Sequence, residues 1–134
     1  MDPLQKDKIA RISIDESTSL LRALKKMDAE KVKLLIVLKN NRFKSLVSIG
    51  DIQRAIINNK NINDKVANFL RRNIRVAYES ENYGTIKERI IKYRTECMPV
   101  LNGDKELVDV IFWEDIFPQG KKRIERNLRL PVIL

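Results

Sequence analysis

Ser48 and Asp51 stand three residues apart where an apolar run gives way to a helical pattern, in the stretch Ser45-Leu46-Val47-Ser48-Ile49-Gly50-Asp51. A hydroxyl at such a corner can donate to a phosphate, and the helix start beyond it offers unpaired N–H groups and the positive end of the helix dipole. A carboxylate three residues on can accept charge-assisted hydrogen bonds from two adjacent sugar hydroxyls. The same spacing also serves helix capping, which needs no ligand. A second stretch, Asp109-Val110-Ile111-Phe112-Trp113-Glu114-Asp115, keeps the carboxylate as Asp115 but carries Phe112 where the hydroxyl would stand. Phe112 cannot donate to a phosphate, and Asp109 and Glu114 bring negative charge close by. Phe112 and Trp113 could stack a base, or pack in a core or a dimer face. Lys33 and Arg54 are the nearest cations along the chain that could neutralise a phosphate, whereas Arg22, Lys25 and Lys26 read as a solvated helix face.

Much other chemistry is excluded. The 134 residues contain no histidine, which removes Ser-His-Asp and Cys-His mechanisms and His-ligated zinc. Cys97 is the only cysteine, so neither an internal disulfide nor a cysteine zinc site can form, and Cys97 reads as a small buried residue. Asp51 and Asp115 have no base, metal partner or nucleophile arranged around them by sequence, so the chain is not expected to be an enzyme.

Lys and Arg total 27 against 18 acids, a net charge of +9. Part of that excess lies in residues 118–134, where Lys121, Lys122, Arg123, Arg126 and Arg129 face Glu125 alone. This segment reads as a solvated linker; with no aromatic residues to stack bases, nucleic acid is disfavoured as a partner. The longest apolar run, Leu34 to Leu38, is too short to span a membrane, and the start MDPLQKDK lacks the apolar core of a secretion signal. The expected setting is cytoplasmic.

The elements that would position these residues come twice. Ile12-Ser13-Ile14 reads as a strand, Glu16 to Ser19 as capping chemistry, and Leu20, Leu21, Leu24 and Met27 as the apolar positions of a helix. Leu34–Leu38 and Phe43–Ile49 read as strands around the turn Lys39-Asn40-Asn41-Arg42, followed by a helix over Ile52–Ile57. The order recurs as a strand Ile74–Ala77, a helix Thr85–Tyr93, strands Met98–Leu101 and Leu107–Phe112 around Asn102-Gly103-Asp104, and a helical turn from Trp113. Val100 follows Val37 by 63 positions and Asp115 follows Asp51 by 64, so the extra residue falls in the turn. Between the copies, Asp64 to Leu70 reads as a short capped helix. The fold class is α/β, with two β-α-β-β-α units.

The stretches IDESTSLLRAL, LLIVLKNNRFKSLVSIGDIQRAI and MPVLNGDKELVDVIFWEDI, in register over residues 8 to 117, resemble a tandem pair of CBS domains. The resemblance implies two motifs packed with pseudo-two-fold symmetry in a Bateman-type module, over residues 1–60 and 61–117. It implies a ligand, usually an adenine nucleotide or a relative, in the cleft between them. The family's usual Gly-h-h-Thr/Ser-x-x-Asp signature (h, apolar) falls on Ser45 to Asp51, with Ser45 and Asp109 replacing the glycine. Ser48, Asp51, Asp115, Lys33 and Arg54 are the candidate ligand contacts on that basis, and the Ser48–Asp51 end is expected to bind in preference to the Phe112 end. No cofactor is required; a regulatory nucleotide of the AMP, ADP, ATP or S-adenosylmethionine class is expected, as is a homodimer through the CBS faces.

The chain further resembles the CBS pair that precedes the catalytic domain of sugar-1-phosphate nucleotidyltransferases of the mannose-1-phosphate guanylyltransferase-related type. There a basic linker leads into an apolar strand; here GKKRIERNLR leads into Leu130-Pro131-Val132-Ile133-Leu134. The implied reading of 118–134 is a linker and the start of a fused catalytic domain. The alternative is that Leu130–Leu134 packs back as an edge strand. A ligand-free dimerisation module is the alternative function.

Overall fold

Two apolar runs, Leu34–Leu38 and Cys97–Leu101, are the central strands of two three-stranded sheets, and each is buried on both faces. A computed structural model describes residues 3–117. The first unit comprises β1 (Ser13–Asp15), α2 (Leu20–Glu30), β2 (Leu34–Lys39), β3 (Arg42–Ser48) and α3 (Ile49–Ile57), preceded by α1 (Pro3–Arg11). The second comprises β4 (Ala77–Tyr78), α4 (Tyr83–Tyr93), β5 (Cys97–Leu101), β6 (Leu107–Phe112) and α5 (Trp113–Ile116). In both sheets the first strand pairs parallel with the second, and the second pairs antiparallel with the third.

The repeat is visible bond by bond. The Ile49 N–H donates to the Lys33 carbonyl at 2.9 Å, and the Trp113 N–H donates to the Glu96 carbonyl at 3.0 Å. The register shifts between Val37 and Leu38 in one sheet and between Val100 and Leu101 in the other. The two hairpin turns differ as the spacing requires. Asn40 and Asn41 both take positive φ (52° and 63°), which matches the twist of a two-residue hairpin. The longer second turn is closed by the Lys105 N–H donating to the Asn102 carbonyl at 3.1 Å.

Each sheet packs one face on its own helices and the other toward the opposite unit. Met98, Val100 and Ile111 join Ile86 and Ile90 of α4 in one core cluster. Their strand neighbours Cys97 and Val110 instead join Leu35, Ile36, Val47 and Ile52 in the cluster of the first unit. Full burial of an Ile or Leu side chain contributes about 1.5–3 kcal/mol, so these alternating contacts fix the two sheets against each other.

Several expectations are corrected. Residues 3–11 form a helix, α1, which packs against β6 of the second unit; Ile9 is buried and Lys26 Nζ donates to the Ser13 carbonyl at 2.8 Å and the Ala10 carbonyl at 3.4 Å. Lys26 thus ties α2 to the end of α1 rather than belonging to a purely solvated face. Helix α3 begins at Ile49, ahead of Ile52, because Ser48 caps it. Helix α4 begins at Tyr83, capped by Asn82. The strand expected over Ile74–Ala77 is the two-residue β4, and the segment after Asp64 is a 3-10 turn over Val66–Phe69. That turn docks on the first unit: the Val66 N–H donates to the Thr18 carbonyl at 2.8 Å, and the Val66 side chain is fully buried. The basic segment 118–134, with its apolar run Leu130–Leu134, lies outside the described residues.

Candidate functional site

The β3–α3 corner is held by a reciprocal capping box. The Ser48 hydroxyl accepts from the Asp51 N–H at 3.2 Å, and the Asp51 carboxylate accepts from the Ser48 N–H at 2.8 Å. Two arginines complete the corner. Arg54, one turn along α3, approaches Asp51 Oδ1 at 2.6 Å. Arg71, from the segment between the units, donates Nε–H to Asp51 Oδ2 at 2.8 Å and a second N–H to the Ser48 hydroxyl at 3.0 Å. The backbone of Arg71 is held as well, its carbonyl accepting from the buried Ser45 hydroxyl at 3.2 Å. Partial burial of Asp51 raises its pKa, but the Ser48 N–H, the Arg71 guanidinium and the Ser48 hydroxyl outweigh burial and hold the carboxyl below its ordinary range.

The equivalent β6–α5 corner keeps half of this arrangement. Asp115 accepts from the Phe112 N–H at 3.2 Å, as Asp51 accepts from Ser48, but Phe112 has no side-chain acceptor to return the bond. Its ring instead packs against the first unit's core and carries Lys8 of α1 over its face, 4.5 Å from the ring centre. Trp113 packs against the second core and meets Phe117 with ring centres 4.9 Å apart.

Between this corner and the start of β2 lies an open cleft of about 830 Å³. Lys8, Lys31, Lys33 and Arg94 supply cations, Glu96 and Glu114 supply carboxylates, and Ile12, Val32, Leu34, Phe112 and Trp113 supply apolar surface. The anticipated residues therefore divide. Lys33 lines the cleft; Ser48, Asp51 and Arg54 meet at the other corner, around Arg71; Asp115 bonds behind Phe112. Lys8, Arg94 and Arg71 carried no sequence signal for these positions, since each arrives from an element outside the strand-helix corner it serves. Among the described residues no group of three Cys, Asp or Glu side chains is placed to hold a metal ion, and no helix is long and apolar enough to cross a membrane.

Paired sheets, a shared core and two equivalent strand-helix corners, one of which lines an inter-unit cleft, can be set beside known proteins. A CBS domain model matches residues 8–58. Staphylococcus aureus OpuCA superposes with a TM-score of 0.71 at 19% identity, covering 84% of this chain and 93% of that one. The fold is that of a CBS domain pair. A CBS domain protein from Pyrobaculum aerophilum complexed with AMP matches with a TM-score of 0.64 at 18% identity, over 78% of this chain and 81% of that one. CBSX2 in complex with AMP gives 0.69 at 20% identity, over 82% and 87%. No curated protein matches the sequence. The model match ends at residue 58, and the second unit carries Phe112 at the position where the first carries Ser48.

Proposed function

We propose that the chain is a regulatory module that takes an adenine nucleotide between its two CBS motifs, residues 1–60 and 61–117. The observation that carries this reading is the inter-unit cleft, where Phe112 and Trp113 meet four cations, Lys8, Lys31, Lys33 and Arg94, alongside the carboxylates Glu96 and Glu114. A base would lie against Phe112 and Trp113, with phosphates toward Lys33, Lys31 and Arg94. The Ser48–Asp51 corner, the end that the sequence favours for binding, is a second seat, placed after the first because the open cleft lies at the Phe112 end. There Arg54 and Arg71 are guanidiniums suited to phosphate, and moving them onto a ligand would free Asp51 to accept from ribose hydroxyls. Asp115 supports the first seat from behind, by fixing the Phe112 backbone. The AMP complexes of the two structural relatives support the ligand class.

Binding would regulate by favouring one packing of the units over another, which is the requirement for coupling to any attached domain. The attached domain we propose is a nucleotidyltransferase of the sugar-1-phosphate type, reached through residues 118–134; its support is the resemblance of the basic linker and the apolar run after it. A reducing, cytoplasmic setting suits the single unpaired Cys97, which is buried. A second reading, a ligand-free homodimerisation module, is favoured by the exposed apolar residues of α3, where Ile57 is 75% and Ile56 44% exposed.

A thermal-shift and calorimetric panel of AMP, ADP, ATP and S-adenosylmethionine tests the proposal, with Asp51→Ala and Lys33→Gln in parallel. A ligand at about 100 times its dissociation constant adds about 2.7 kcal/mol, several degrees for a domain of this size. Loss of the response in one variant assigns the seat. A flat panel at millimolar ligand refutes nucleotide binding and leaves dimerisation, read by sedimentation.

A further inference from the structure

The two hairpin tips meet at the far end of the sheets. The Phe43 N–H donates to the Lys105 carbonyl at 3.1 Å, and the backbones of Arg42 and Glu106 form an isolated antiparallel β-bridge. A groove of about 480 Å³ opens there, lined by Lys39, Asn40, Arg42, Phe43, Lys44 and Lys105. Four of these six residues are cations, and none is a carboxylate.

The cations are mounted on paired backbone. Register places Lys39 directly opposite Arg42, a like-charge pair that costs stability unless something neutralises it. Lys44 stands at the bulge of the same strand, between Phe43 opposite Leu38 and Ser45 opposite Val37, and lines the same groove. Lys105 comes from the other motif and is fixed by the turn in a left-handed conformation, φ 64°. Lys39 is partly offset by Glu16 at 3.5 Å; among the described residues Arg42, Lys44 and Lys105 form no ion pair. Phe43 packs against the first core while lining the groove, so a single partly buried ring accompanies the four cations.

We propose that this groove binds a short chain of phosphates, bridging the two motifs at their hairpin tips. Four cations in a volume of this size match the charge of two or three linked phosphates better than that of a single anion. One partly buried ring gives successive bases no series of stacking faces, which argues against a nucleic acid strand. The site is separate from the nucleotide cleft: the six residues of β2 separate Lys39 from the Lys33 end by roughly 20 Å.

The test is calorimetric titration of the whole chain with pyrophosphate, tripolyphosphate and ATP, with amide shifts followed by NMR. Tripolyphosphate should shift Phe43, Lys44 and Lys105, weaken with added salt, and lose about tenfold in affinity in the Arg42→Gln/Lys105→Gln double variant. ATP that shifts the same amides and is displaced by tripolyphosphate identifies the phosphate source as a nucleotide tail; ATP that leaves them unmoved identifies a free oligophosphate. AMP binding should be unchanged in the double variant, so failure of the cleft and failure of the groove are read separately. The proposal is overturned if those amides do not move, or if binding is lost in Lys121→Gln/Lys122→Gln/Arg123→Gln but kept in the double variant. It is equally overturned if a single-stranded oligonucleotide of equal charge binds tighter than tripolyphosphate.

Discussion

Arg71 Nε lies 2.8 Å from Asp51 Oδ2, so a guanidinium from the segment between the units occupies the carboxylate that sequence spacing makes a candidate ligand contact. Asp51 is 10% exposed at its side chain and Arg71 40%, which places the pair at the edge of the core, only partly screened by water. Asp51 caps α3, pins the segment after residue 70 and holds Arg54, all through two oxygens.

Replacing Asp51 by Asn should therefore cost about 1–2 kcal/mol at neutral pH, from the weakened cap and the lost charge-assisted bonds. The folded carboxyl titrates below its ordinary value of 3.8. Its contribution is thus present above that value and is lost as the pH falls through the lower, folded pKa. Urea unfolding of Asp51→Asn and the parent at pH 7 and pH 3 should show the difference shrinking in acid. An equal difference at both values would mean that the charge contributes nothing.

Arg71→Ala removes the guanidinium but keeps the capping box between Ser48 and Asp51. Stability should fall by about 1 kcal/mol. Because Arg71 no longer competes for Asp51, a nucleoside with free ribose hydroxyls should bind at this corner more tightly than in the parent. Adenosine is the suitable probe, since it needs no phosphate cation. Calorimetry showing weaker adenosine binding in Arg71→Ala would mean that Arg71 is a ligand contact and not a competitor.

Cys97 provides a check on how the two sheets join. Its thiol is pushed up to about 12, first by burial and then by Glu96, with Arg71 opposing. At pH 8 the folded thiol stays protonated, so labelling by a disulfide reagent should follow opening of the sheet interface rather than direct attack. The sign of the linkage also follows. The unfolded thiol ionises near its ordinary value of 9.0 while the folded one does not, so stability should decline as the pH rises from about 9 toward 12. Native-state labelling at the rate of a free thiol would contradict the burial of Cys97 between the units.

The doubled architecture was legible because strands buried on both faces produce unbroken apolar runs, and the runs recur at a constant offset. Ser19 before Leu20 marked the start of α2 by capping chemistry alone. Helix α1 was hidden for the opposite reason: its sequence PLQKDKIAR holds few apolar residues, and its partner β6 lies about a hundred residues away. Arg71 left no trace either, since a long flexible cation in an aperiodic segment can reach many carboxylates, and only the docking of Val66 decides which. The pairing of Ser48 with Asp51 was legible as spacing, while its occupation by two arginines required the tertiary structure.

Phe112→Ser would restore a hydroxyl three residues before Asp115 and with it the possibility of a full capping box at the second corner. Capping gains about 1 kcal/mol in favourable cases. Against this, the Phe112 ring packs on the first unit's core and supports Lys8, and burial of much of an aromatic ring contributes about 2–3 kcal/mol. Packing should therefore win, and the variant should unfold at lower denaturant with a net loss of about 1–2 kcal/mol. The cleft would lose one of its two aromatic walls, so AMP binding there should weaken even where the protein remains folded. A variant with unchanged stability and tighter AMP binding would reverse the assignment, making a hydroxyl at position 112 the group this corner needs.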